Sequence, residues 1–462
     1  MQYEESRVGS LMSNKFIDID RKTPINLPGE MEGWLEQNSL ARFVVEVVEQ
    51  LDTQAIEERY RGSGSAPYPP KMMLALIFYC YAKGIYSSRK MEKASYELIP
   101  VLYITGGTHP DHDSINTFRK RFLEEMSSIF VQILEYACNL GIFKLGEISM
   151  DGSKFKANAS KHKAMSWDYA GKIEEQLKAE VEALLDKAES ELGERNRDID
   201  IPQELKRREE RLEKIAQIKA EIEQRAAARY EQEKAEFERK MAERAAKEQE
   251  RGRKIGGKKP KEPEPGPQGK DQVNLTDGES RIMPTSGGGF EQAYNAQATV
   301  DMVTMLIVGN HVSQNPNDKQ EVEPALAELD KLPENLGKVE KAALDSGFFS
   351  EHNTQKFVDK DIEPYIASGR QNHYPTWSER FAAPPTPPQN PDEVAAMKYR
   401  LKTDEGKEFY AKRKSTVEPV FGIIKEVMGF RRFMLRGLQS VTGEWTLVCI
   451  AFNLKRLFAL SV

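Results

Sequence analysis

Apolar positions recur at helical spacing through roughly residues 68–140 and fall into short strand-like blocks near 145–150, 290–313 and 337–366. In a highly charged stretch at 171–250 they thin to a helical stripe. Pro69-Pro70 followed by KMMLALIFYCYAKG predicts a helix opened by proline and closed near Gly84. SSRKMEKASYEL predicts a second helix, capped by Ser87 or Ser88. A third begins near Ser114 and runs on through INTFRKRFLEEMSSIFVQILEYACNLG. These make an all-helical domain at 67–140, behind an acidic, partly helical region at 1–66 and a turn or linker at RGSGSAP (61–67).

The pattern then changes period. LGEISMDGSKFKANAS predicts a strand ending at Asp151, with a turn at Asp151-Gly152. FEQAYNAQATVD and MVTMLIVGNHVS predict a β-hairpin turning near 301–304. A helix over 319–330 follows, then a strand ending at Asp345 and a short strand in IEPYIAS. A Pro- and aromatic-rich loop spans 369–393, helical spacing returns from Lys407 to about Lys425, and GEWTLVCIAFNLKRLFAL predicts a buried helix. Strand, hairpin, helix, strand, strand, helix is the order of an RNase H-like α/β core, here expected at 141–164 and 271–462.

Residues 165–270 interrupt that core. Leu177, Val181, Leu184 and Leu185, then Leu205, Leu212, Ile215 and Ile218, predict two long helices parted near 198–202 and folded as a coiled-coil hairpin. The stretch 171–270 carries 25 basic and 25 acidic residues, so the arm suits architecture or dimerisation better than a DNA clamp. GRKIGGKKPKEPEPGPQGKDQ reads as the flexible return linker.

Composition adds limits. No run of about 18 apolar residues predicts a membrane span, and the first residues lack the apolar stretch of a secretory signal. A cytoplasmic protein is therefore expected. Cys80, Cys138 and Cys449 sit in apolar runs and read as small buried hydrophobes, with no zinc-like Cys/His spacing. The formal charge of −6 argues mildly against nucleic acid, but its distribution does not. Residues 1–60 hold 6 Lys/Arg against 12 Asp/Glu, whereas 398–462 hold 13 against 6, compatible with a local phosphate-binding surface.

Three acids stand out: Asp151 and Asp345 at strand ends, and Glu418 on a helix in STVEPVFGIIK. Carboxylates at neighbouring strand ends, joined by one from a packed helix, suit Mg²⁺, which takes oxygen ligands and keeps waters. Two such ions can activate an attacking oxygen and stabilise a leaving one, as phosphodiester cleavage requires. Taken singly, each acid reads equally as turn chemistry or a surface ion pair. Asp277 and Asp318 read as a structural turn and the cap of the helix starting at Lys319, and Asp301 as part of the hairpin turn. His162, between Lys161 and Lys163, reads as part of a solvated basic turn, with a phosphate contact as the alternative. Consecutive Arg119, Lys120 and Arg121 at a helix start allow a helix-turn-helix contact with DNA or an ordinary charged face.

The chain resembles the DDE transposases of bacterial insertion sequences, in the group named for insertion sequence eleven-eighty-two, which share a Tyr-Arg-Glu-Lys signature. YPPKMMLALIFYCYAKGIYSSRKMEKA, HPDHDSINTFRKRF, DGSKFKANASKHKAM, IPQELKRREERLEKI and VNLTDGESRIMPTSGGGFEQAYNAQATVD carry the resemblance, which spans about residues 20–460. It implies that Asp151, Asp345 and Glu418 are the catalytic, metal-holding triad, with Mg²⁺ as cofactor and Mn²⁺ as substitute. The signature falls on Tyr410, Arg413, Glu418 and Lys425. Arg413 stands one residue further from Glu418 than the usual pattern, and Lys414 would restore the gap. On a straight helix 414 and 418 share a face, as do 418 and 425. DNA contacts are expected from Tyr410, Arg413, Lys414, Lys425, Lys154, Arg119 and Arg121. Tyr374 and Trp377 are candidates for stacking on an extruded base or for packing the loop. The resemblance implies a homodimer acting on terminal inverted repeats and target DNA. A domesticated or inactive relative that only binds DNA is the alternative.

Overall fold

The computed structural model describes residues 29–60, 66–190, 201–253, 256, 259–285, 288–369, 386–389 and 391–461. The linker expected at 61–67 lies mostly outside them, and Tyr374 and Trp377 lie outside them altogether.

Among the described residues eight strands form: β1 Leu145–Lys156, β2 Ala164–Ser166, β3 Gln272–Asn274, β4 Arg281–Pro284, β5 Phe290–Asp301, β6 Ile307–Ser313, β7 Gly337–Leu344 and β8 Glu363–Ile366. The main sheet runs β4-β5-β1-β7-β8, with β6 also on β5. β5 is antiparallel to β1, β4 and β6, whereas β7 and β8 are parallel to β1. The β5–β6 hairpin turns where expected, on Asp301. Its Oδ2 accepts from the backbone N–H of Val303 and Thr304 and from the Thr304 hydroxyl.

The end of β1 differs from the sequence expectation. β1 does not stop at Asp151 but continues five residues further, because β5 is long enough to keep pairing: Asp151 faces Ala298, Gly152 faces Gln297 and Lys156 faces Ala293. Asp-Gly looks like a turn only when the partner strand is out of view.

Among the described residues, seven α-helices precede β1: α1 Leu40–Gln50, α2 Gln54–Glu57, α3 Pro70–Ala82, α4 Ser88–Glu97, α5 Ile99–Ile104, α6 His112–Arg121 and α7 Met126–Asn139. The single long helix expected from Ser114 is two. α6 starts earlier because the Asp111 carboxylate caps the N–H groups of Asp113 and Ser114, and a turn at 122–125 parts it from α7. Apolar spacing runs through the break because Phe122, Leu123 and Met126 all stay buried there. Arg119, Lys120 and Arg121 therefore close α6 rather than open a helix.

These helices share one continuous apolar core with the sheet. The joint is the helix Leu438–Ser461, whose residues 445–454 are all buried. The Trp445 indole donates to the Gln297 carbonyl (2.9 Å). The Asn453 amide exchanges two 2.8 Å hydrogen bonds with the backbone of Ile307, extending the β6 ladder onto the helix. Burying each large apolar side chain there contributes about 1.5–3 kcal/mol.

The inserted arm is α8 Trp167–Ser190 and α9 Ile201–Arg251. Glu174 pairs with Lys219 and Glu180 with Arg208, so the two helices run antiparallel. Leu177 and Ile215 are buried in their seam. Ile218 and Ile222 of α9 pack on Val273 of the β2–β3 ribbon, fixing the arm's root to the core. No described helix is long and apolar enough to cross a membrane.

Candidate active site

The parallel pairing of β1 and β7 sets Met150 opposite Leu344. Asp151 and Asp345 each follow by one residue, so the two carboxylates stand on adjacent strands at one level. Asp345 leaves its strand immediately and caps the short turn Ser346–Phe348, with Oδ1 accepting from the Gly347 N–H (2.7 Å). Asp151 Oδ1 accepts from the N–H of Gly152 (2.8 Å). Burial pushes the Asp151 carboxyl up to about 6. Arg413 opposes that, Asp345 and Asp318 add to it by like charge, and the Gly152 N–H opposes it.

Glu418 reaches this pair through an arginine. The Arg413 guanidinium lies 3.5 Å from Asp151 Oδ2 and 3.0 Å from Glu418 Oε1, with its side chain only 11% exposed. The local backbone explains why Arg413, and not Lys414, points inward. Lys412–Ser415 is a 3-10 turn, and Thr416 kinks (φ −117°, ψ −83°) before the helix Val417–Gly422 begins. The Thr416 hydroxyl closes the kink on the carbonyls of Lys412 and Arg413 (both 3.1 Å). Straight-helix phase fails across such a kink, so a five-residue separation brings 413 and 418 face to face. Lys414 is left exposed.

Tyr410 lies half-buried beside this arginine. Burial pushes its phenol up, Arg413 opposes, and Asp345 and then Asp151 reinforce the rise. Lys425 sits in a π turn, Ile423–Val427, and reaches β1 just past Asp151. Its ammonium donates to Ser153 Oγ (2.6 Å) and to the Lys154 carbonyl (3.4 Å), 4.8 Å above the Phe155 ring. Burial pushes that amine down.

Asp318 is not the cap that the sequence suggests. The cap of its turn is Asn317, which frees Asp318 to face the site. Its Oδ1 accepts from Asn295 (2.8 Å) and Gln297 (2.9 Å) of β5, and its Oδ2 lies 3.5 Å from the Lys154 ammonium. A Cβ on Gly152 would meet Gln297 Nε2 at 2.0 Å and Asp318 Oδ1 at 2.8 Å. The bare Gly152 is thus the space into which these side chains close. Only the conjunction of Gly152 with amide residues alternating on β5 could have signalled it.

Two proposed DNA contacts fare differently. Arg119 is 6% exposed. Its guanidinium is used inside the core, donating to the Tyr81 hydroxyl (3.1 Å), the Tyr86 carbonyl (2.9 Å) and Asn116 (3.0 Å). That burial leaves it no face for a phosphate and corrects the expectation. Arg121 is exposed, stacked over Tyr60 and Phe122. Asp277 is buried and accepts from Tyr294 (2.8 Å) and the Gly437 N–H (3.2 Å), a structural role as expected.

The donors Asp151, Asp345 and Glu418 are all carboxylate oxygens, the kind a hard divalent cation takes. Like-charge repulsion at Asp151 also favours a cation there. Among the described residues, however, no three His, Cys, Asp or Glu side chains lie close enough to hold a metal. Arg413 occupies the gap between Asp151 and Glu418.

Two stretches match known families. Residues 387–458 match the model described as Transposase DDE domain, and residues 29–121 match Transposase domain (DUF772). The first contains Tyr410, Arg413, Glu418 and Lys425, while β1 and β7 lie outside both. No curated protein and no solved structure matches the chain.

Proposed function

We propose, starting from those two transposase-domain matches, that this chain is a DDE transposase that cuts and rejoins DNA at the ends of an insertion sequence. The observation that carries this reading is the registered pair Asp151 and Asp345, tied to Glu418 through Arg413. The strand order, with an antiparallel β1–β5–β6 meander extended by parallel β7 and β8, supports an RNase H-like core.

Asp151, Asp345 and Glu418 are the residues that would hold Mg²⁺, or Mn²⁺ in its place. The metal would supply charge neutralisation at the phosphate and a more acidic water. Around it, Lys425 is anchored on β1 and presents its charge beside the scissile position, and Arg413 is the cation nearest the carboxylates. Two phosphoryl transfers at one site follow: water cleaves the phosphodiester at the element's end, and the freed 3′-OH then attacks target DNA. We assign the substrate as paired terminal repeats bound by a homodimer, with the α8–α9 arm as a coiled-coil element of that assembly.

One observation favours a second reading, a protein that binds DNA without cutting it: Arg413 already pairs with Asp151 and Glu418. Incubating wild type and Asp345→Asn with a plasmid carrying the gene's native flanks and Mg²⁺ separates the two. Defined nicks made by wild type and lost in the variant support the transposase. Binding without metal-dependent nicks in wild type supports the alternative.

A further inference from the structure

We infer that the outer part of β1 and the segment Gly429–Gly437 together form a track for the phosphate backbone of duplex DNA, leading away from Asp151. This rests on the transposase reading and names the surface that would hold the DNA flanking the cut.

The segment GFRRFMLRG is bracketed by two glycines in left-handed backbone, Gly429 (φ +76°) and Gly437 (φ +83°). Between them the chain lies along the end of β1. The Lys156 N–H donates to the Arg431 carbonyl (3.3 Å), and the Phe433 N–H donates to the Lys156 carbonyl (2.9 Å). Asn158 then donates to the Met434 carbonyl (2.7 Å), and Arg436 Nε to the Asn158 carbonyl (3.0 Å). Phe430 and Phe433 are fully buried against Phe155, with ring centroids at 5.6 and 6.0 Å. These anchors fix which way the intervening side chains face: Arg431, Arg432 and Arg436 are exposed.

Three more cations continue the row. Lys156 is 56% exposed, and Lys161 and Lys163 stand exposed on the turn that follows β1. Against these six positive charges, Glu291 pairs with Lys156 and Glu426 with Arg431. Among the described residues, the side chains of Arg432, Lys161 and Lys163 make no hydrogen bond or ion pair. So much unpaired positive charge on a rigid backbone, in a chain of net charge −6, favours a regularly spaced polyanion. Phe430 and Phe433 are buried beneath these charges, so the segment between the two glycines presents mainly its arginines to a phosphate backbone. At about 3.3 Å per strand residue, Lys156 stands roughly 17 Å along β1 from Asp151. That is about five base pairs of B-DNA at roughly 3.4 Å per step, so the track would grip flanking duplex and leave the reacting phosphate to the carboxylates.

The test uses full-length Asp345→Asn protein, which leaves DNA uncut, and duplex carrying the native flank. Its affinity is measured across a series of KCl concentrations. The comparison is the same protein with Arg432→Gln, Lys161→Gln and Lys163→Gln. Each lost phosphate contact should reduce the slope of log affinity against log salt by about 0.9, so the triple variant should lose about 2.7. An exposed lysine at the far end of β7, Lys338→Gln, should change nothing. Arg432→Glu alone, with its melting temperature checked, serves as a second variant and should weaken binding most at low salt. An unchanged slope in the triple variant, with a parent that binds DNA, overturns this inference alone. A parent that binds no duplex at any salt overturns the transposase reading and this inference with it.

Discussion

Arg413 bridges Asp151 and Glu418, with one guanidinium nitrogen 3.5 Å from the first carboxylate and the other 3.0 Å from the second. A fixed organic cation therefore sits where the proposed chemistry needs a metal. The two must compete for the same oxygens unless the guanidinium swings toward a DNA phosphate when substrate arrives.

Competition makes a prediction opposite to that for an ordinary site residue. Arg413→Ala should bind Mn²⁺ more tightly than wild type in the absence of DNA, by about tenfold, the equivalent of roughly 1.4 kcal/mol. The same variant should nick DNA more slowly. Calorimetric titration with Mn²⁺ reads the first effect. Weaker binding in the variant would mean that Arg413 organises the carboxylates rather than shielding them.

Asp151 should leave a signature in stability against pH. Its folded carboxyl is raised to about 6 from an ordinary 3.8, so folding takes up a proton between those values. The group costs nothing below about pH 4, and its penalty grows as pH rises through about 6, to an upper limit of about 3 kcal/mol. Asp151→Asn removes the penalty, less what Arg413 loses as a partner. The variant should melt higher than wild type at pH 8, and the difference should vanish near pH 4. A difference independent of pH would refute the raised carboxyl.

Gly152→Ala should damage the site with little effect on the rest of the fold. The added Cβ collides with the Gln297 amide and with Asp318 Oδ1, so the hydrogen bond between those two must break. A cost of about 1–3 kcal/mol is expected from overpacking, together with at least tenfold slower nicking. Wild-type nicking by the variant would show that the Asp318–Gln297 contact is dispensable.

Glu444 is fully buried. It accepts from the Met434 and Leu435 N–H groups (both 2.9 Å) and from the Tyr81 hydroxyl (3.2 Å). Burial raises its carboxyl, while the two N–H groups and nearby Arg119 hold it down. Glu444→Ala strands those donors and should destabilise by roughly 3–5 kcal/mol, with Glu444→Gln costing less. Equal melting temperatures for Ala and Gln would show that the hydrogen bonds contribute nothing.

Most of the sheet could be read from the sequence, because its strands are short apolar blocks whose order alone suggests the topology. Asp345 could be placed because a strand ends beside it. Asp151 was picked out for the wrong local reason: its strand runs on, and only the pairing with β5 shows why. The inward turn of Arg413 depends on a kink at Thr416 that residue spacing does not encode, and straight-helix phase would select Lys414 instead. Asp318 reads as a cap in the sequence because its partners Asn295, Gln297 and Lys154 are remote in sequence. Arg119 looked like part of a basic cluster, and burial is a property that three consecutive cations do not announce.

The helix Leu438–Ser461 that joins the two halves of the core also sets an order of events during synthesis. Its residues leave the ribosome about 300 positions after α7, a delay of roughly 15–60 s at ordinary elongation rates. Until then α3 and α7, which pack on that helix, have no cover for the faces that meet it. The nascent chain carries uncovered apolar surface on the side of β5 and β6 that Trp445 and Asn453 will later close. Completing the core therefore depends on contacts of very long sequence separation and should be slow. A nascent chain cannot complete this core before translation has passed the Tyr410–Lys425 segment, so no finished protein lacks that part of the site.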